Sequence, residues 1–146
     1  MKELNSDPEL RRVLESVKTI AVIGAHFKPE RPAYYVPEYL KQQGYRVLPV
    51  NPVHAGKEIL GETVVAKASD IQEPVDMVDV FRRSEAVPGH LEEILAMKPL
   101  PKVVWLQQGI RNDEVAQKLM AAGIEVVQDH CALAEHKRLH VPSKAA

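Results

Sequence analysis

Residues 19–34 constrain this chain more than any other stretch. An apolar run over residues 20–23 stops at Gly24, a polar loop carries Lys28 and Arg31, and a helical pattern begins near Ala33. Strand, glycine turn and helix N-terminus in that order form the cradle that α/β proteins use for phosphate. Glycine lets backbone approach an anion, and the helix offers free N–H groups and the positive end of its dipole. The loop reads Gly24-Ala25-His26-Phe27-Lys28-Pro29, without the second and third glycines of the G-x-G-x-x-G dinucleotide fingerprint. The next strand candidate ends in Asn51-Pro52, where a nicotinamide-binding chain carries an acidic residue for the ribose. These residues point to a nucleotide other than NAD.

The rest of the chain alternates strand and helix patterns. Asp7-Pro8 reads as an N-cap followed by proline at the first helical position, opening a helix to about Ser16 with Leu10, Val13, Leu14 and Val17 on one face. Strands are expected at 19–23, 45–50, 75–81, 102–106 and 124–127, with a short one near 63–65. Helices are expected at 33–43, 84–97, 114–122 and 130–139. Pro37 and Pro88 are tolerable only in a first turn, and Gly44 and Gly123 read as helix stops. Alternation of this kind predicts an α/β fold, a Rossmann-like three-layer domain around a mostly parallel sheet of five or six strands.

At 146 residues the chain has the length of one domain with a real core. Its 19 Lys+Arg nearly balance 20 Asp+Glu, so any anion site is local, and no general nucleic-acid binding is expected. The single cysteine, Cys131, excludes an internal disulfide and fits a reducing cytoplasm. No apolar run reaches membrane-spanning length, and residues 1–7 lack signal-peptide character, so no membrane partner is expected.

Ligands of open α/β sheets bind beyond the carboxyl ends of strands, at the switch point in strand order. Those ends supply Gly24, Ala25, His26, Phe27 and Lys28, then Asn51, Pro52, Val53 and His54. Phe81 with Arg82 follows, and finally Leu106, Gln107, Gln108 and Gly109. Together with Arg31 this mixture of cations and amides suits a phosphorylated nucleotide. Singly, Gly24 and Gly109 read as turn glycines and Arg82-Arg83 as a solvated pair; their joint placement favours a site.

The segments Val22-Ile23-Gly24-Ala25, Arg31-Pro32-Ala33-Tyr34, Gly44-Tyr45-Arg46-Val47 and Val50-Asn51-Pro52 resemble the CoA-binding domain family. So do the run from Val75 through Asp79-Val80-Phe81-Arg82, the run Val104-Trp105-Leu106-Gln107-Gln108-Gly109-Ile110, and Asp129-His130-Cys131. These are small proteins similar to the CoA-binding domain of the succinyl-CoA synthetase α subunit. The resemblance implies non-covalent binding of coenzyme A or an acyl-CoA. It implies that the loop from Gly24 to Lys28 wraps the diphosphate, that the Asn51 to His54 turn lies along the adenosine side, and that Phe81, Arg82 and residues 106–108 line the remaining path. Relatives often carry serine where His26 and Ala33 stand, so this chain lacks two hydroxyl donors, and His26 is the replacement donor. Asn51 in place of an acidic residue removes repulsion toward the ribose phosphate of coenzyme A.

No catalytic residues are expected. The phosphorylated histidine of succinyl-CoA synthetase belongs to a second domain, for which this chain has no room. None of the six histidines sits in a recognisable triad, and His90 reads as a surface residue. Cys131, His136 and His140 lack the ligand number of a zinc site, and Lys137 and Arg138 disfavour a cation there. Cys131 reads as a small buried side chain more readily than as a nucleophile toward the coenzyme A thiol. Asp76 and Asp79 lack a matching base or metal set, and Trp105 reads as core. The expected function is binding of coenzyme A or an acyl-CoA as carrier, sensor or regulatory module. An NAD(P)-linked oxidoreductase and an interaction module with a decayed nucleotide site are the alternatives.

Overall fold

The structure is a computed structural model that describes residues 2–145. Five strands, β1 (Thr19–Ile23), β2 (Arg46–Val50), β5 (Met77–Val80), β6 (Val103–Leu106) and β7 (Glu125–Val127), form one sheet in the order β2-β1-β5-β6-β7. Every pairing is parallel. Almost every strand residue is buried, which is why these segments read as continuous apolar runs. One face packs on α1 (Asp7–Ser16), α2 (Pro32–Gln42) and α5 (Ala132–Arg138) through Leu10, Val36, Leu40 and Ala132. The other packs on α3 (Leu91–Leu95) and α4 (Asp113–Ala121) through Ile94, Val115 and Leu119. The three-layer α/β expectation holds, with five strands in the sheet.

Local chemistry moved several boundaries. Ser6, not Asp7, caps α1: its hydroxyl accepts from the Glu9 N–H while the Glu9 carboxylate accepts from the Ser6 N–H at 3.1 Å, a reciprocal capping box. Helix α2 starts at Pro32, so Pro37 stands inside it rather than in its first turn. The expected strand near 63–65 is instead a small hairpin, β3 (Glu58–Ile59) with β4 (Glu62–Thr63), followed by a parallel bridge from Val65 to Val50. The expected helix over 84–97 divides into a 3-10 segment, Ser84–His90, containing Pro88, and the short α3. His90 is half-buried and hydrogen-bonded to Glu93, not a free surface residue.

Chain direction places the ligand crevice. From β1 the chain moves outward to β2, then returns to lay β5 against the opposite edge of β1. The loops leaving β1 and β5 therefore diverge, and the gap between them is the switch point.

Candidate functional site

A cleft of about 750 Å³ opens at this switch point, between the loops after β1, β5 and β6 and the start of α2. Its first wall is the loop after β1. Gly24 has φ +87°, and a Cβ placed on it would lie 2.5 Å from the carbonyl oxygen of Phe81. Glycine is demanded here by the approach of a neighbouring strand end, whereas the sequence pattern suggested the approach of an anion. The Gly24 N–H is also taken, donating to Val50 at 2.9 Å. Ala25 is buried, and its carbonyl accepts from the Asn51 side chain at 2.9 Å. The His26 N–H donates to Ala33 at 3.3 Å, and the Lys28 N–H donates to His26 Nδ1 at 3.1 Å. Much of this loop's donor capacity thus shapes the loop itself. At the start of α2, Ala33 lines the cleft at the positive helix end, where the first N–H groups of a helix lack intrahelical acceptors.

The cations are more telling. The sequence holds eight arginines. Six of them, Arg11, Arg12, Arg46, Arg83, Arg111 and Arg138, pair with carboxylates. Among the described residues, the two without a carboxylate partner are Arg31 and Arg82, and both line the cleft. The field of Arg31 is felt by His26: desolvation first, then Arg31, His54 and Lys28, hold its imidazole below its ordinary range. Because Nδ1 accepts from Lys28, the proton of the neutral ring sits on Nε2, which is therefore a donor. Lys28 itself is exposed and lies outside the cleft lining.

The turn after β2 divides its residues. Asn51 lines the cleft, but its side chain is spent inside the protein, donating to Ala25 and accepting from the Val53 N–H at 2.9 Å. Pro52 and Val53 are exposed and outside the lining. His54 is buried and, with Phe27, Lys57, Glu58 and Ile59, lines a second, smaller cavity of about 260 Å³. His26 and Phe27 stack at 4.8 Å, and His54 sets its edge against both rings. This aromatic trio joins the two cavities.

The sequence model of the family described as a CoA binding domain matches residues 18–137. The chain belongs to the CoA-binding domain family. It is 38% identical to the uncharacterized protein YneT of Bacillus subtilis (strain 168) over 131 residues, 90% of this chain and 94% of that one. It is similar to the solved structure of cell-free ID.343 from Thermus thermophilus, at 56% identity and a TM-score of 0.87, covering 92% and 99% of the two chains. A hypothetical protein from Pyrococcus horikoshii OT3 shares 35% identity and a TM-score of 0.85, over 96% of this chain and 99% of that one.

In this CoA-binding domain the far wall of the cleft comes from β5 and β6. Phe81, Arg82, Gln107, Gln108 and Gly109 line it, while Leu106 is buried in the core beneath. The Gly109 N–H is held by Asp129 at 2.6 Å. Gln107 donates through Nε2 to Asp79 at 2.7 Å, and burial pushes the Asp79 carboxyl up to about 7 against a weaker opposing effect of that hydrogen bond. Asp76 has a different task, accepting from the Lys18 and Thr19 N–H groups at the start of β1. Trp105 is fully buried, its Nε1 donating to His130.

Arg83, read in the sequence as part of a solvated pair at a strand end, lines the cleft, and sequence reasoning missed Tyr35, Val36, Ser84, Glu85 and Ile110, which also line it. Residues 84 and 85 were hidden because the stretch they open reads as an ordinary helix. Tyr35 and Val36 face the cleft because α2 begins earlier than its proline suggested. Cys131, the residue preceding α5, lines the cleft as well. His136 is buried and bonded through Nδ1 to the Tyr39 hydroxyl at 2.7 Å, away from this site. Among the described residues no group of three His, Cys, Asp or Glu is placed to hold a metal ion, and no helix is long and apolar enough to cross a membrane.

Proposed function

We propose that this protein binds coenzyme A or an acyl-CoA, non-covalently and without chemistry, in the cleft between the β1 and β5 loops. The observation that carries the reading is the pair of arginines without carboxylate partners among the described residues, Arg31 and Arg82, in a chain whose other six arginines are all paired. An arginine left unpaired on a concave wall is poised for an external anion, and its planar fork matches phosphate oxygens. Coenzyme A carries three phosphates, two in its diphosphate and one on its ribose. The cleft adds the Ala33 N–H at the helix end and the His26 Nε2 donor. Its lining reaches from Asn51, after β2 at one edge of the sheet, to Cys131, after β7 at the other, and that span suits a long ligand with a charged head and a neutral arm.

A binding role fits the side chains better than catalysis. Cys131 has no hydrogen-bonded base among the described residues, since the neighbouring His130 ring is engaged by Glu135. Glu85 faces Arg83. A carrier, sensor or regulatory module needs no more than the cleft supplies.

The test is to purify the protein without added ligand, denature it, and identify released molecules by mass spectrometry, then to titrate the emptied protein calorimetrically with coenzyme A, acetyl-CoA and NADPH. Saturable binding of the CoA compounds without NADPH is the expected result, and any co-purified thioester names the acyl group. Binding of NADPH in preference to coenzyme A, or of neither by a folded protein, overturns the proposal. Turnover of a bound acyl-CoA to free coenzyme A would overturn its non-catalytic part.

A further inference from the structure

Asp79 is fully buried in β5, registered between Val22 of β1 and Trp105 of β6, so that its flanking side chains are apolar. A carboxyl in such a place weakens a core unless it serves something. Its Oδ1 accepts from Gln107 Nε2, and its Oδ2 has no partner among the described residues. Gln107 follows β6 and is 5% exposed, and that small exposure is at the cleft.

A carboxamide has a donor end and an acceptor end. The acceptor at Asp79 claims the donor end and turns it inward. The other end, Oε1, has no hydrogen-bond partner among the described residues, yet it is not among the buried unsatisfied atoms, which are His54 Nδ1, Asp79 Oδ2 and His136 Nε2. Oε1 therefore keeps its access to the cleft. A phosphate, offering only acceptor oxygens when ionised, has nothing to give it. A secondary amide does.

We propose that Asp79 is a positioning residue that holds Gln107 with Oε1 toward the cleft, where it accepts a hydrogen bond from an amide N–H of the pantetheine arm. This rests on the coenzyme A reading above and assigns the wall that would read the arm rather than the charged head. Arg31 and Arg82 then take phosphate, and Gln107 takes the neutral chain beyond it. The elevated Asp79 carboxyl agrees with a buried acceptor that has one donor and no cation.

The experiment compares coenzyme A with 3′-phosphoadenosine 5′-diphosphate, the same head without the arm, on Asp79→Leu, Gln107→Leu and the double variant. Each single variant is expected to lose coenzyme A affinity about tenfold, the size of one hydrogen bond to a fixed acceptor, while binding the head within twofold of wild type. The double variant should be no weaker than Gln107→Leu, because Asp79 acts only through Gln107. Equal losses for both ligands, an undiminished coenzyme A affinity, or additive losses in the double variant would overturn the proposal. A ligand-free readout separates this from failure of the coenzyme A reading. The Gln107 side-chain amide resonances of wild type should move with pH near neutrality as Asp79 titrates, and should cease to do so in Asp79→Leu. Wild-type protein that binds neither ligand refutes the arm contact together with the coenzyme A reading. Gln107 side-chain amide resonances that are the same in Asp79→Leu as in wild type refute the positioning role alone.

Discussion

The backbone N–H of His26 donates to the carbonyl of Ala33, and that carbonyl is open because Pro37 stands four residues further along α2. Proline has no N–H, so the ladder bond that would fill the Ala33 carbonyl does not form. A gap in the helix becomes the anchor of the cleft loop. Pro37→Ala supplies a competing donor and a better helix former. The His26 amide should then exchange with solvent faster, the amide at position 37 should be protected, and coenzyme A affinity should fall. Hydrogen exchange followed by NMR reads both amides; an unchanged His26 amide would mean that the loop is held by Asn51 alone.

Arg31→Ala and Arg82→Ala should each weaken coenzyme A binding by roughly 1–3 kcal/mol, the range for a hydrogen bond involving a charged group. Arg83→Ala is the control, because Arg83 already faces Glu85 at 3.5 Å and both side chains are well exposed. It should cost far less, as should Lys28→Ala, which lies outside the lining. Calorimetric titration of the four variants decides the matter. Equal effects at Arg31, Arg82 and Arg83 would show a diffuse field instead of two specific forks.

The three layers were legible because parallel strands buried on both faces announce themselves as apolar runs, and because Gly44 and Gly123 punctuate the helices. Strand β1 was legible to the residue. The capping box at Ser6 was obscured by Asp7, which is equally capable of capping; only the reach of Glu9 distinguishes them. The β3–β4 hairpin has two residues per strand, too few for alternation to show. In the site, strand ends could be read from the sequence, but the partners of side chains could not. Asn51 was legible as a residue at a strand end, yet its amide is consumed by Ala25 and Val53. Conversely, nothing in the spacing of Arg31 and Arg82 distinguishes them from the six arginines that find carboxylates. That difference exists only once the chain has folded.

His26 gives the binding a pH dependence whose sign is fixed. In the empty cleft its pKa is lowered, by desolvation first and then by Arg31, His54 and Lys28, so the ring is neutral at neutral pH. An entering phosphate reverses the local charge and favours the imidazolium, so binding takes up a proton. The His26 contribution to affinity therefore grows as pH falls through the ligand-bound pKa and levels off below the free one. Because the ligand's own phosphate titrates near pH 6, the measurement is the ratio of wild-type to His26→Ser affinity from pH 8 down to pH 5.5. That ratio should rise; a flat ratio would show that His26 does not meet phosphate.

Asp79 should make the fold less stable in base than in acid. Its carboxyl lies at about 7 in the folded chain against an ordinary 3.8. Across that window the folded state keeps a proton that the unfolded state has released, so this residue's contribution to stability declines as pH rises, and its cost is complete above about 7. Asp79→Asn removes the charge with little change of shape. It should raise the melting temperature more at pH 8 than at pH 5. An equal gain at both values would point to packing in place of ionisation.

Gly24 and Gly109 separate the two reasons a cleft wall uses glycine. Both have positive φ, +87° and +83°, where an L side chain is strained by roughly 1–2 kcal/mol. Around Gly109 there is open space, whereas a Cβ on Gly24 would meet the Phe81 carbonyl at 2.5 Å and Arg82 Cδ at 3.3 Å. The Phe81 oxygen is not free to retreat, because the Phe81 N–H donates to Ile23 at 2.9 Å and so ties the end of β5 to β1. Alanine at 24 must spread the two strands at the switch point or twist the loop that carries His26. Gly24→Ala should thus destabilise the protein well beyond Gly109→Ala in urea unfolding, the excess being the clash and not the dihedral. It should also lower coenzyme A affinity at temperatures where it remains folded, since the displaced atoms belong to the cleft and Arg82 moves with them. Equal losses of stability in the two variants would leave backbone conformation as the whole requirement and remove the Phe81 contact from the account.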